Sequence, residues 1–185
     1  MKSEKEQLIL GIDPGTSVMG YGIIRILNTQ PQLVQYGVIH LNKYANQAIK
    51  LRKIQEKMTQ LLEEFMPDSV ALEAPFYGKN VQSMLKLGRA QGVAMAAALV
   101  RDIPIEEYAP KKVKLAVTGK GNASKEQVAG MLQKLLNFKH DHKLLDATDA
   151  LAVALCHFYQ KKTSAPQYKD WSAYLKQHKD KIKKQ

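Results

Sequence analysis

Leu8-Ile-Leu-Gly-Ile-Asp-Pro-Gly-Thr16 decides how this chain is read: an apolar run meets a carboxylate, and a Pro-Gly turn follows at once. A short apolar run bounded in this way predicts a buried strand ending at Asp13. Outward from it, residues 21–27 and 33–41 repeat the strand pattern on either side of a polar turn that contains Pro31. Three strands joined by short turns predict an antiparallel meander. Between about residues 46 and 66, Ile54, Met58, Leu61, Leu62 and Phe65 fall on one stripe, which predicts a helix that Pro67 terminates. Residues 69–73 read as a fourth strand, again closing on a carboxylate, Glu73. A long helix is predicted over 81–100 and a fifth strand over 103–108. Ser124-Lys-Glu-Gln127 fits a capping box that opens a helix with Val128, Met131, Leu132, Leu135 and Leu136 inward. A last core helix is predicted over about 146–159.

The composition sets the class of partner. The chain has 185 residues, enough for one full core, and 28 Lys and Arg against 17 Asp and Glu give a formal charge of +11. That excess favours a polyanion as partner; a solubilising surface is the plainer alternative. The single Cys156 excludes an internal disulfide and, inside Leu151-Ala-Val-Ala-Leu-Cys156, reads as a small buried hydrophobe. Residues 1–7 are charged and no apolar run reaches bilayer length, so no membrane role is expected and the cytosol is the expected compartment. Residues 160–185 carry eight Lys against Asp170 and Asp180 with few apolar anchors. The expected division is a domain over 1–159 and a basic, flexible tail over 160–185.

Four carboxylates carry the chemistry. Asp13 and Glu73 end buried strands, while Asp146 and Asp149, in Asp146-Ala-Thr-Asp149, stand three apart on one helix face. Hard oxygen ligands converging from strand ends and a helix suit Mg²⁺, and on so basic a chain the natural substrate is a phosphodiester. Each acid also has a simpler explanation. Asp13 could shape an Asx turn, Asp146 could cap the helix, and Asp149 could favour the helix dipole. Glu73 is harder to explain so, because an unpartnered buried acid is costly.

Four further features bear on binding. Phe76-Tyr77, beside Gly78, Lys79 and Asn80, suits stacking on an unpaired base; anchoring the loop to the core is the alternative for Phe76. Lys111, Lys112, Lys114, Lys120 and Lys125 form the densest basic zone within the domain, which could equally be a solvated face. The 81–100 helix holds Gly88, Ala90, Gly92, Ala94, Ala96, Ala97 and Ala98. Each helical glycine costs about 1 kcal/mol relative to alanine, a cost that close packing of another backbone would offset. The sheet and a second subunit are both open as that partner. His140 and His142 form a His-x-His pair, but without a nearby cysteine a zinc site is disfavoured.

The order β-β-β-α-β-α-β-α-α, with acids at strands 1 and 4 and on the last helix, is the layout of the ribonuclease-H-like α/β fold, a five-stranded mixed sheet flanked by helices. Gly11-Ile-Asp-Pro-Gly15 with Gly20-Tyr-Gly22, Ala71-Leu-Glu73 followed by Phe76, Leu85-Lys-Leu-Gly-Arg-Ala-Gln-Gly92, and Asp146-Ala-Thr-Asp-Ala-Leu-Ala152 resemble the RuvC Holliday-junction resolvases. The resemblance spans about residues 8–159. It implies Asp13, Glu73, Asp146 and Asp149 as catalytic metal ligands for two Mg²⁺, with Mn²⁺ as a substitute. It further implies a homodimer whose contact includes Gly88, Gly92 and Ala96. Four-way junction DNA would be held by Phe76, Tyr77, Lys111, Lys114 and Lys125, and RuvA and RuvB would be partners. The product would carry a 5′ phosphate and a 3′ hydroxyl, in recombination and repair. A histidine near the fourth ligand leaves a proton-relay role open for His140 or His142. Two rivals share the first motif. The actin-like and sugar-kinase ATPases need a second such domain, and the YqgF-type family, implicated in RNA processing, matches the other motifs less well. A catalytically inert DNA-binding module is a third alternative.

Overall fold

The computed structural model describes residues 6–75, 80–139 and 145–163, the last three of these by backbone alone. Strands β1 (Gln7–Asp13), β2 (Val18–Leu27) and β3 (Gln30–His40) form the expected antiparallel meander. Helix α1 (Gln47–Phe65) crosses to β4 (Ser69–Glu73), which pairs parallel with β1, and α2 (Val81–Leu99) crosses to β5 (Ile105–Tyr108), parallel with β4. The sheet order is β3-β2-β1-β4-β5, mixed and five-stranded. Helices α3 (Pro110–Thr118), α4 (Lys125–Leu136) and α5 (Leu145–Thr163) follow. This is the ribonuclease-H-like architecture.

Alternation along the central strands divides the core in two. Ile9 and Ala71 pack toward α3, α4 and α5, with Leu132, Leu151 and Leu155. Leu10, Ile12, Val70 and Leu72 pack toward α1 and α2, against Ile54, Met58, Leu61, Ala94 and Ala98. Both faces of β1 and β4 are therefore covered, which is why these strands read as continuous apolar runs. Asn46 caps α1, its Oδ1 accepting from Ala48 N at 2.7 Å. Both halves of the Ser124–Gln127 capping box are present.

The structure departs from the sequence reading at several points. Residues 110–118 form a helix that was not expected; Pro110 starts it, and Val113 and Val117, four apart, bury its inner face. Leu135 is exposed at 37%, because α4 is rolled toward Ala129 and buries Val128, Ala129, Leu132 and Leu136 instead. Asp146 lies within the first turn of α5, and α5 continues to Thr163, past residue 159. Residues 164–185 of the expected tail lie outside the described residues. Among the described residues, no helix is long and apolar enough to cross a membrane.

Candidate active site

Asp13 and Glu73 end neighbouring parallel strands, one step beyond the Ile12–Leu72 pair. They share the face of Ile9, Gly11 and Ala71, so both point toward α5. Glycines bring α5 close enough to complete the group. A Cβ on Gly11 would overlap the carbonyl of Ala150, and one on Gly20 the carbonyl of Asp146, so the first turns of α5 rest directly on the sheet backbone. Asp146 and Asp149 thereby come down beside Asp13. One carboxylate oxygen from each of Asp13, Asp146 and Asp149 lies within 4.8 Å of the other two. Glu73 is not among these three. It flanks Asp13 across a cleft of about 120 Å³ that Pro14, Ala74, Pro75 and Leu87 also line.

So many acids in a half-buried space resist ionising together. Burial, then the charges of Glu73 and Asp149, push the Asp13 carboxyl up to about 8. Burial and the Asp149 charge push Glu73 up to about 7. Burial also raises Asp149, against the opposing hydrogen bond and charge of Lys125. The Lys125 ammonium partly neutralises the cluster, 2.6 Å from Asp149 Oδ2 and 3.5 Å from Asp146 Oδ1. Burial opposes its charge, but the bond to Asp149 and the surrounding acids hold it above its ordinary value. An all-oxygen donor set of this charge, raised by mutual repulsion, fits a hard divalent cation, which would remove the repulsion by holding every carboxylate ionised.

The chain as a whole has close matches among known proteins. The family model described as crossover junction endodeoxyribonuclease RuvC matches residues 9–157. The chain belongs to the RuvC family. The crossover junction endodeoxyribonuclease RuvC of Cytophaga hutchinsonii is 60% identical over 178 residues, covering 96% of this chain and 89% of that one. The Porphyromonas gingivalis RuvC is 54% identical, covering 98% and 100%. Among solved structures, Thermus thermophilus RuvC in complex with Holliday junction substrate superposes with a TM-score of 0.78 at 30% identity, covering 86% of this chain and 98% of that one.

Around the acids of this RuvC-family chain, the lysines divide. Lys114, on the unexpected helix α3, is close enough to lower both Glu73 and Asp149, and Lys125 touches the acids directly. Lys111 is exposed one turn earlier on α3, and its stem lies where a Cβ on Gly121 would go. Asn80 caps α2, accepting from Ser83 N at 3.1 Å. Phe76, Tyr77, His140 and His142 lie outside the described residues. Gly88, Gly92 and Ala96 all face outward on α2, and a Cβ on either glycine would meet nothing within 4 Å. The sheet is thus not their partner; the buried face of α2 is Ala90, Gln91, Ala94, Ala97 and Ala98.

A second polar chain lies beneath the site and was missed by sequence reasoning. Tyr108, on β5 beside Glu73, shares a hydrogen bond of 2.8 Å with His157 Nδ1, and His157 Nε2 contacts Ser69 Oγ at 3.1 Å. Ser69 and Glu73 are the two ends of β4, so this buried chain ties that strand and β5 to α5. His157 follows the apolar run 150–156 of α5, and a polar residue fully buried at the end of such a run was the available signal.

Proposed function

We propose that this chain is a Mg²⁺-dependent endodeoxyribonuclease that resolves four-way DNA junctions by paired nicks, acting as a homodimer. The observation that carries the reading is the convergence of Asp13, Asp146 and Asp149 beside Glu73, with Lys114 and Lys125 at the rim. Such a site can hold a phosphodiester between cations and hard-ligand acids, and needs no side-chain nucleophile. Two Mg²⁺ bound there would supply an activated water and a counter-charge for the leaving 3′ oxygen. The carboxylates hold and orient; Lys114 and Lys125 offset the phosphate charge. Water adds to phosphorus, the bond to the 3′ oxygen breaks, and the ends are a 5′ phosphate and a 3′ hydroxyl that ligase can seal.

Dimerisation is supported by the outward stripe of α2. Val81, Leu85 and Leu99 are at least half exposed and continue the line of Gly88, Gly92 and Ala96, giving an apolar ridge low enough for a second copy of the helix. Two opposed nicks require two sites related by a two-fold axis, which such a contact supplies. Phe76 and Tyr77 follow β4 directly, a position suited to stacking in the junction core. Family membership supports RuvA and RuvB as partners and the cytoplasm as the place of action. The family match extends through the second helix and the last acids, which favours junction DNA over the RNA substrate of a YqgF-type nuclease. Incubating the purified protein with a synthetic mobile four-way junction and Mg²⁺, and mapping the cuts, tests the proposal. Symmetric, ligatable nicks near the crossover are expected. Cleavage of RNA with an intact junction would overturn it.

A further inference from the structure

A basic groove lies on the opposite face of the sheet from the four acids, at the same edge. His40, Lys43, Tyr44, Lys53, Glu56 and Lys57 line it, between the end of β3 and α1, enclosing about 330 Å³. Its His40 end lies next to the segment that carries the active site. The turn between Asp13 and Val18 is held by Leu41 N and Asn42 N, both donating to Ser17 O at 2.8 Å, and by Lys50 Nζ donating to Thr16 O at 3.2 Å. Val18 pairs with His40, so the groove begins where the turn that carries Asp13 ends.

Part of the positive charge here lies on one stripe of α1 and part on the exposed Lys43. Lys50, Lys53 and Lys57 stand at i, i+3 and i+7, a single stripe of α1, and all three are half-buried. Lys57 Nζ sits 5.1 Å from the centre of the Tyr21 ring, and Lys43 Nζ 5.3 Å from that of Tyr44. Lys53 is paired with Glu56 at 2.6 Å, and Glu56 is the one carboxylate lining the groove. Three lysines against one acid leave a positive groove with Tyr44 in its wall, and Lys53 and Lys57 stand one helical turn apart along it. A nucleic-acid strand presents charge at comparable spacing, and Lys, Tyr and His are ordinary donors to its phosphates.

We infer that this groove holds the phosphate backbone of a duplex arm of the junction, on the far side of the Asp13 turn from the scissile phosphate. The inference rests on the proposed function and deepens it, by giving the substrate a second seat that the acid site alone does not provide. A duplex arm is favoured over an acidic protein because the groove abuts the turn beside which the cut strand must pass.

Salt dependence of junction binding tests it, with Lys43, Lys53 and Lys57 changed together to Gln and Mg²⁺ replaced by Ca²⁺ to prevent cutting. Each lost phosphate contact should flatten the slope of log affinity against log salt by about 0.9, so a fall of about 2–3 is expected, with affinity down about tenfold or more at moderate salt. In cleavage assays the loss should appear in KM, and Lys53→Arg with Lys57→Arg should restore it. Lysine acetylation of the parent protein provides a reading that does not depend on the variant folding: bound junction should protect Lys43, Lys53 and Lys57. An unchanged slope, or full acetylation in the bound parent, overturns the inference while the parent's own binding and cutting leave the resolvase reading intact. A parent that neither binds nor cuts junctions would instead overturn the function on which the inference rests.

Discussion

Replacing Asp13 with Asn should make the metal-free protein more stable while destroying its activity. Held near 8 instead of 3.8, the Asp13 carboxyl keeps a proton in the folded state that the unfolded chain has released. The folded state binds more protons across that interval, so folding stability falls as pH rises from about 4 to 8. At about 1.4 kcal/mol per pH unit, the ceiling on that loss near pH 8 is about 5–6 kcal/mol. Polar, partly wetted sites behave as though their dielectric constant were about 20, which brings the expected effect to about 1–3 kcal/mol. Asn keeps the shape and never ionises, so Asp13→Asn should recover that amount at pH 8 and nothing at pH 4. For a chain of this size each kcal/mol moves Tm by about 2–4 °C, well within calorimetric reach. Millimolar Mg²⁺ should reverse the ranking, because the parent gains stability by binding and the variant does not. A metal-free variant that melts below the parent at pH 8, or equal stabilisation of both by Mg²⁺, would refute the account of the cluster as a set of mutually repelling ligands.

The other expectations follow from the same geometry. Glu73→Gln, Asp146→Asn and Asp149→Asn should each abolish or sharply reduce cleavage and preserve junction binding, since the lysines proposed to meet phosphate are untouched; gel-shift and cleavage assays run in parallel check this. Gly20→Ala should cost about 1–3 kcal/mol in denaturant unfolding and reduce cleavage as well, because its methyl group displaces the Asp146 carbonyl and with it two acids. Gly92→Leu should leave Tm of the monomer nearly unchanged, since its side chain enters open space, yet light scattering should show a shift toward monomer and paired cutting should be lost. Phe76→Ala should cut far more slowly than the parent at nearly equal affinity and melting temperature; a loss of about 3–5 kcal/mol in stability, with activity per folded molecule intact, would mark Phe76 as a core anchor.

What could be read from the sequence and what could not divides along a physical line. Asp13 and Glu73 were legible because an acid closing an apolar strand is energetically conspicuous, and the strand itself was legible from its neighbours. The meander, α1 and the capping box of α4 were written in local patterns that each element carries by itself. Helix α3 was hidden because its nine residues bury only Val113 and Val117 while three lysines crowd its first half, so the periodic signal is short and the charge dominates it. The direction of Gly88, Gly92 and Ala96 was hidden for a different reason: composition gives a helix's small residues but not its rotation against α1. Gly20 belongs to the same class. Nothing in Gly20-Tyr-Gly22 indicates that a helix more than a hundred residues later will lie on it, yet that contact is what carries Asp146 and Asp149 to Asp13. The acids name the chemistry, but the distance between them is fixed by residues with no side chain. Substitution at those glycines should therefore lower stability and activity together with all four carboxylates still in place, whereas substitution of a ligand also removes a charge.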